Sequence, residues 1–301
     1  IMAAMVEGAY VDFDTALRIE SRYLARLAVG QVAKNLISLF FNRTAIKSGA
    51  SRPKDIPKWK AGKVGILGAG MMGGGIAYSN AVRGVASVLK DVTQEKADAG
   101  KAYTAKILER RKKDLKPLEL ITATSKTDDL RGCDLIIEAV FEKRELKAQV
   151  TKETEPLLAA NGFFASNTST LPISGLAKAS AHPEKFIGLH FFSPVDRMEL
   201  VEIIKGEKTS AETLARAYDY VLQIGKTPIV VNDSRGFFTS RTFGTFVQEG
   251  CAMLAEGIPA AAIENAARQA GMPVGPLEVI DQTSMSLSMH VMEQTVADLK
   301  A

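Results

Sequence analysis

Short apolar runs recur through the middle of the chain, and each is followed by polar or helix-compatible residues. Residues 64–67, 87–90, 135–139, 163–166, 186–190 and 201–204 have the length and composition of buried strands. Helix-like or loop segments separate them, and that alternation predicts a doubly wound α/β architecture, a mostly parallel sheet with helices on both faces. Ahead of the strands, Leu24, Leu27, Val32, Leu36 and Leu39 recur at near-helical spacing. This predicts one long amphipathic helix over residues 13–41 with a face to bury, more a docking element than a catalytic one. The polar stretch KSGASRPKDIPKWKAG, broken by Pro53 and Pro57, reads as a linker.

The first strand runs straight into GAGMMGGGIA, residues 68–77. Gly68 permits a tight turn after the strand, Gly70 lets backbone approach a pyrophosphate, and Gly73 lets the following helix pack on the strand. The helix then directs its first N–H groups at the phosphates. A glycine-rich loop with no ligand is the competing reading. Asp91 counts against it, because it ends the second strand about 20 residues on, where the dinucleotide fingerprint expects an acid for the adenosine ribose. A carboxylate there accepts from both ribose hydroxyls and repels a 2′-phosphate, so NAD is favoured over NADP, although Lys90 is a mild counter-signal.

Composition narrows the remaining classes. The 301 residues are 46% hydrophobic and 24% charged, enough for about two domains with ample core. The net charge of +4 is spread along the chain, and without any zinc-finger, helix-turn-helix or aromatic RNA-binding motif it makes no case for nucleic acid. Two cysteines, Cys133 and Cys251, argue against a disulfide framework, and no Cys/His cluster points to a metal. No apolar run has the length of a membrane span and no signal-peptide pattern is visible, so the expectation is an intracellular, soluble protein. One basic cluster, Arg110, Arg111, Lys112, Lys113 and Lys116, reads either as a solvated helix face or as a clamp for a phosphorylated substrate handle.

Three histidines are present. His182 sits in a polar loop before a proline and reads as a surface residue, and His290 lies in a helical-looking tail with no acid near it in sequence. His190 ends an apolar strand at the carboxyl edge, where ligands bind in open parallel sheets. It is either a structural histidine or a catalytic one. Glu202 favours the second reading, because a carboxylate inside the apolar strand MELVEII is costly without a partner, and an antiparallel or return strand would bring it beside the imidazole. Such a pair fixes the tautomer and leaves the other ring nitrogen to take a hydroxyl proton while hydride leaves the same carbon. The segment SNTSTLPIS offers hydroxyl and amide groups where cofactor and substrate should meet, the alternative being helix capping by Ser169 or Thr170.

At GAGMMGGGIAY, Asp91, IIEAVFEKRELK, SNTST, GLHFFSPVDRMELVEII, GKTPIVVND and MPVGPLEVID the sequence resembles the L-3-hydroxyacyl-CoA dehydrogenases. Within them it is similar to the dehydrogenase half of the bacterial multifunctional fatty-acid-oxidation protein. The resemblance implies a Rossmann-type NAD-binding domain over residues 62–233 and the first unit of a helical C-terminal domain over 234–301. Residues 1–46 would be a connecting helix from the end of a hydratase half, and 47–61 a linker. It further implies NAD-dependent oxidation of L-3-hydroxyacyl-CoA to 3-ketoacyl-CoA in fatty-acid β-oxidation, with no hydratase activity in this piece. Residue by residue, it implies His190 as base, Glu202 as its orienting carboxylate and Ser169 at the substrate's 3-oxygen. Gly68, Gly70, Met72 and Gly73 would line the pyrophosphate, Asp91 the adenosine ribose, and Glu142 and Lys147 the nicotinamide ribose side, leaving Glu138 structural. The usual HFFNP is HFFSP here, putting Ser193 at a cofactor-contacting asparagine position. The usual PGFxxNR is RGFFTSR, with Arg235 for proline and Ser240 for a substrate-side asparagine. Implied partners are acyl-CoA, a thiolase subunit in the full-length protein and a second copy in a homodimer, in the bacterial cytoplasm. Other readings are a non-catalytic NAD-binding protein of crystallin type, a dehydrogenase of a small polyol or hydroxy acid, and an interaction scaffold.

Overall fold

In the computed structural model, residues 1–283 together with Met289, Glu293 and Val296 are described. His290 lies outside them. The chain divides into two compact units, Ile1–Arg52 and Pro53–Ala301.

The first unit holds α1 (Met2–Gly8), α2 (Phe13–Ala28) and α3 (Gln31–Lys47), none of which contains a buried residue. The single helix expected over residues 13–41 is two helices bent by 68°. The break falls at Gly30, which adopts an extended backbone as the N-cap of α3, where glycine has no side-chain entropy to lose and is disfavoured inside a helix by about 1 kcal/mol. Asp12 caps α2 by accepting from the Thr15 amide at 3.0 Å. The apolar positions that set the expected helical face, Leu24 to Leu39, remain exposed. Among the described residues no single helix is long and apolar enough to cross a membrane, although α2 and α3 together pass by length and composition.

The second unit is built on an eight-stranded sheet of order β3-β2-β1-β4-β5-β6-β7-β8. The strands are β1 (Lys63–Leu67), β2 (Ala86–Lys90), β3 (Ile121–Thr124), β4 (Cys133–Glu138), β5 (Leu158–Ser166), β6 (Phe186–Phe191), β7 (Leu200–Lys205) and β8 (Thr227–Asn232). Every described pairing is parallel except β6 with β7. The six expected strands are all present, and the two that were not expected, β3 and β8, are the outer edges. Edge strands need less apolar sequence, and β8 carries Pro228, which an edge tolerates.

Successive residues feed opposite faces. Ile66 and Leu89 join Ile76, Ala77, Leu135, Tyr218 and Tyr220 in one core layer, beneath α4 (Met71–Ala81) and α8 (Ala211–Gln223). Leu67 and Val88 join Leu130, Ile136, Phe164 and Phe186 in the other. Helices α5 (Gln94–Arg110), α6 (Arg144–Thr154) and α7 (Ile173–Leu176) complete the sandwich, followed by α9 (Thr239–Ala255), α10 (Ala260–Gln269) and α11 (Pro276–Thr283). Burial on both faces is why the central strands read as continuous apolar runs.

The second half of the polar 47–61 stretch is tied to this unit. Asp219 of α8 accepts from the Trp59 amide at 3.0 Å and from Lys58 Nζ at 3.1 Å. Gln223 exchanges two 2.9 Å bonds with the Ala61 backbone, and the Trp59 ring sits 5.5 Å from that of Phe163. Asp219→Ala is therefore expected to cost about 1–3 kcal/mol in urea unfolding, because it strands the half-buried Trp59 amide, while the exposed Lys58 ammonium stays hydrated.

Candidate active site

The turn after β1 has the architecture its glycines require. Gly68 takes φ +93° and donates its amide to Lys90 O at 2.8 Å. A Cβ on Gly73 would fall 1.8 Å from Gly68 O, so strand and helix touch through backbone alone. Gly70, the N-cap of α4, differs: an added Cβ would meet no protein atom within 4 Å. Protein packing does not demand glycine there, whereas close approach of a pyrophosphate to the first turn of α4 does, so this cradle fits a dinucleotide. Met72 is half-buried against the core, and Ser193 Oγ lies 3.6 Å from Met71 Sδ, at the entrance to the same turn.

Asp91 closes the turn from the end of β2. Its Oδ2 accepts from the Ala69 amide and its Oδ1 from the Val92 amide, both at 2.7 Å. Each oxygen keeps a second lone pair for a ribose hydroxyl. The acid thus braces the loop, a role its spacing alone does not reveal.

Beyond β4 lies a buried charge cluster. Lys147 Nζ, 2% exposed, contacts both Glu138 oxygens at 2.9 Å and Glu142 Oε2 at 3.2 Å. Ser166 Oγ donates to Glu138 Oε1. Burial opposes charge on Lys147, but the carboxylates outweigh it and hold the ammonium above the ordinary lysine range. Burial likewise opposes charge on Glu142, yet Lys147 and the Thr168 hydroxyl draw it below the carboxylate range. At wholly buried Glu138 desolvation prevails and the carboxyl is pushed up.

Glu142 also shapes the loop that bears Ser169. Its Oε1 accepts from Thr168 Oγ1 at 2.5 Å, the Ser169 amide at 3.0 Å and the Thr170 amide at 3.2 Å. Ser169 and Thr170 do not cap a helix: Asp233 does that for α7, accepting from the Ile173 and Ser174 amides at 2.7 Å. Asn167 Oδ1 accepts the Phe191 amide at 2.9 Å and so pins this loop to β6.

His190 and Glu202 face each other in register across the antiparallel β6·β7 pair. His190 Nδ1 lies 2.7 Å from Glu202 Oε2. Glu202 has no exposure and is fully engaged: Oε1 accepts from the Phe238 and Thr239 amides at 3.2 and 2.9 Å, and Oε2 from Thr239 Oγ1 at 2.8 Å. Burial raises the cost of its charge, but the His190 and Thr239 bonds prevail and hold the carboxyl below its ordinary range. That stabilisation is complete above the unfolded carboxylate pKa and is lost as pH falls through the lower folded value. Ser240 follows Thr239 in the first turn of α9 and is half-buried. The Phe192 and Phe237 rings flank the imidazole at 4.5 and 5.9 Å, so His190 keeps only 7% exposure and Nε2 has no protein partner among the described residues.

The profile of the 3-hydroxyacyl-CoA dehydrogenase NAD binding domain matches residues 63–234, and that of the 3-hydroxyacyl-CoA dehydrogenase C-terminal domain matches 236–301. The chain belongs to the 3-hydroxyacyl-CoA dehydrogenase family. It is an NAD-dependent oxidoreductase by that membership. Among solved structures, the (S)-3-hydroxybutyryl-CoA dehydrogenase of Ralstonia eutropha is 34% identical over 80% of this chain and 89% of its own, with a TM-score of 0.75. The 3-hydroxybutyryl-CoA dehydrogenase of Escherichia coli is 28% identical over 79% of this chain and 53% of its own, at 0.73. The dehydrogenase part of multifunctional enzyme 1 from C. elegans, 23% identical over 86% of this chain and 63% of its own, shares the fold at 0.62.

Several supporting residues carry no local signal in the dehydrogenase sequence. Thr239 and Asn167 sit inside the motifs RGFFTSR and SNTST, but their partners are distant strands. The clamp reading of the basic cluster loses two members, because Arg110 and Arg111 bind Asp196 at 3.1 and 2.8 Å in the loop between β6 and β7. Buried Lys226 holds the same loop, donating to Val195 O and Met198 O at 2.7 Å, and burial pushes its ammonium down to about 8.

Lys147→Met is expected to destabilise the fold by about 3–5 kcal/mol, since it leaves two buried carboxylates without a cation. Those carboxyls then titrate at raised pKa in the folded state, so the deficit in urea unfolding should be smaller at about pH 5 than at about pH 8.

Proposed function

We propose that the chain oxidises the 3-hydroxyl of an L-3-hydroxyacyl-CoA to the ketone in fatty-acid β-oxidation, with His190 as general base. The observation that carries this is the 2.7 Å bond from His190 Nδ1 to the buried, fully engaged Glu202. Bound NAD⁺ supplies the hydride acceptor for C3. Gly68, Gly70, Met72 and Gly73 would hold its pyrophosphate and Asp91 its adenosine ribose, with Ser193 beside the turn. Glu142 orients the 168–170 backbone toward the nicotinamide side, and Lys147 acts through Glu142, its ammonium being committed to carboxylates. Ser169 would donate to the 3-oxygen, and Ser240 would line the substrate side of His190.

Proton movement follows from the pair. Glu202 accepts from Nδ1–H, so unprotonated Nε2 takes the hydroxyl proton as hydride leaves C3. The resulting imidazolium is stabilised by the carboxylate beside it, and Phe192 and Phe237 limit the water that would screen this attraction. In the reverse direction the imidazolium returns the proton to the 3-oxygen. The Ralstonia and E. coli relatives are named for a four-carbon acyl group, which makes acetoacetyl-CoA the first substrate to try.

The test is NADH consumption with acetoacetyl-CoA. His190→Gln should lower kcat by about 10²–10⁴-fold with NADH affinity retained. Glu202→Gln should lower it less and shift the pH at which activity falls, because the imidazolium loses its counter-charge. Turnover that persists in His190→Gln would reject the assignment. NADH binding without turnover in the wild type would favour the non-catalytic reading.

A further inference from the structure

Residues 192–199 connect β6 to β7 and leave the sheet directly beside His190. The Phe192 ring packs 4.5 Å from the imidazole, and Ser193 Oγ lies 3.6 Å from Met71 Sδ at the glycine turn. The loop also rests on α4 with no side chain between them, since a Cβ on Gly75 would fall 2.7 Å from Val195 Cβ. His190 and the helix that opens at the glycine turn are therefore mechanically joined through this loop.

Two carbonyls of the loop, Val195 O and Met198 O, converge on one buried cation. Lys226, the residue before β8, donates to both at 2.7 Å. Buried acceptors brought together need a donor between them, and a charged donor bonds them about twice as strongly as a neutral one. Asp196, its side chain 1% exposed, takes Arg110 and Arg111 on Oδ2, and Arg111 also donates to Asp196 O at 2.7 Å. Asp196 Oδ1 is buried with no hydrogen-bond partner among the described residues, and its charge acts through space on Lys226. Arg111 in turn lies over the Tyr78 ring at 5.6 Å, so this outer latch returns to α4 as well.

We propose that Lys226 is a positioning residue for the reaction, its ammonium fixing the 192–198 loop so that His190 and the glycine turn keep one mutual geometry. The inference rests on the assignment of His190 as base and adds to it a cation that acts through loop backbone. An alkaline limit follows. Burial pushes Lys226 down to about 8 and Arg111 acts the same way, while Asp196 and Glu199 of the loop oppose them. Below that pH the charged ammonium holds both carbonyls, and as pH rises through it the proton is lost and the clamp weakens. In the oxidising direction His190 acts unprotonated, so its own titration limits the acid side and the two limbs are separable.

The experiment is the pH profile of kcat for the full chain with NAD⁺ and L-3-hydroxybutyryl-CoA, with NADH binding by each variant measured alongside. The wild type should lose activity as pH rises through about 8. Asp196→Asn removes an attracting charge and should move that limb to lower pH, whereas Arg111→Gln removes a repelling one and should move it to higher pH. Lys226→Met should lower kcat about tenfold or more at neutral pH with NADH still bound, because small misplacements of reacting groups are costly. Wild-type kcat in Lys226→Met overturns the proposal, and so does an alkaline limb that is absent or that neither charge substitution moves. If Lys226→Met binds no NADH, the two charge variants decide the matter. A wild type that binds NADH without turnover would overturn the His190 assignment and the proposal with it, a failure distinct from the others.

Discussion

A carboxylate with no access to water must be fully bonded, and at Glu202 that requirement joins three parts of the structure. β7 carries the acid, β6 presents His190 opposite it, and the first turn of α9 supplies two amides and the Thr239 hydroxyl. The sheet turns antiparallel at this one described pairing, and the inversion is what places two residues twelve apart in sequence side by side. If β7 ran parallel to β6, Glu202 would have no reason to meet the imidazole. The helix N-terminus adds its own positive end, so the acid stays ionised while buried. The geometry of the proposed catalytic pair and the attachment of the first C-terminal helix are therefore consequences of the same bonds.

A second charged cluster does for the Ser169 loop what Glu202 does for His190. Lys147 draws Glu138 and Glu142 together, Ser166 completes the Glu138 shell, and Glu142 folds the 168–170 backbone around one of its oxygens. Asn167 then links that loop to β6 one residue past His190. The dehydrogenase site is thus assembled from two ionic anchors joined through a single loop. On the far side, Asp196 and Lys226 bind the β6–β7 connection to the body of the domain, so the strands that carry His190 and Glu202 are restrained at both ends.

Much of this was legible in the sequence, and the reason is local. The glycine turn, Asp91 and the six inner strands announce themselves within a few residues, because burial on both faces demands unbroken apolar runs. Glu202 was legible as an oddity, an acid in an apolar strand, and the oddity pointed to His190. What escaped is what edges, breaks and long-range partners decide. β3 and β8 are edges and carry threonines or a proline. The first-unit helix breaks at Gly30, which periodicity passes over. Lys147 is singled out by the resemblance, but its burial between Glu138 and Glu142 shows only once α6 is laid beside β4, and Arg110 and Arg111 look free until Asp196 arrives from 85 residues away or more.

The central claim is that Glu202 holds one ring nitrogen and leaves the other as the base. ¹⁵N NMR of the histidine-labelled chain tests it directly, and with only three histidines the His190 signals are separable by substituting the other two. The account predicts that neutral His190 carries its proton on Nδ1, with Nε2 bare. A neutral imidazole protonated on Nε2 would contradict it, because Nδ1 would then face the Glu202 carboxylate with no proton to donate.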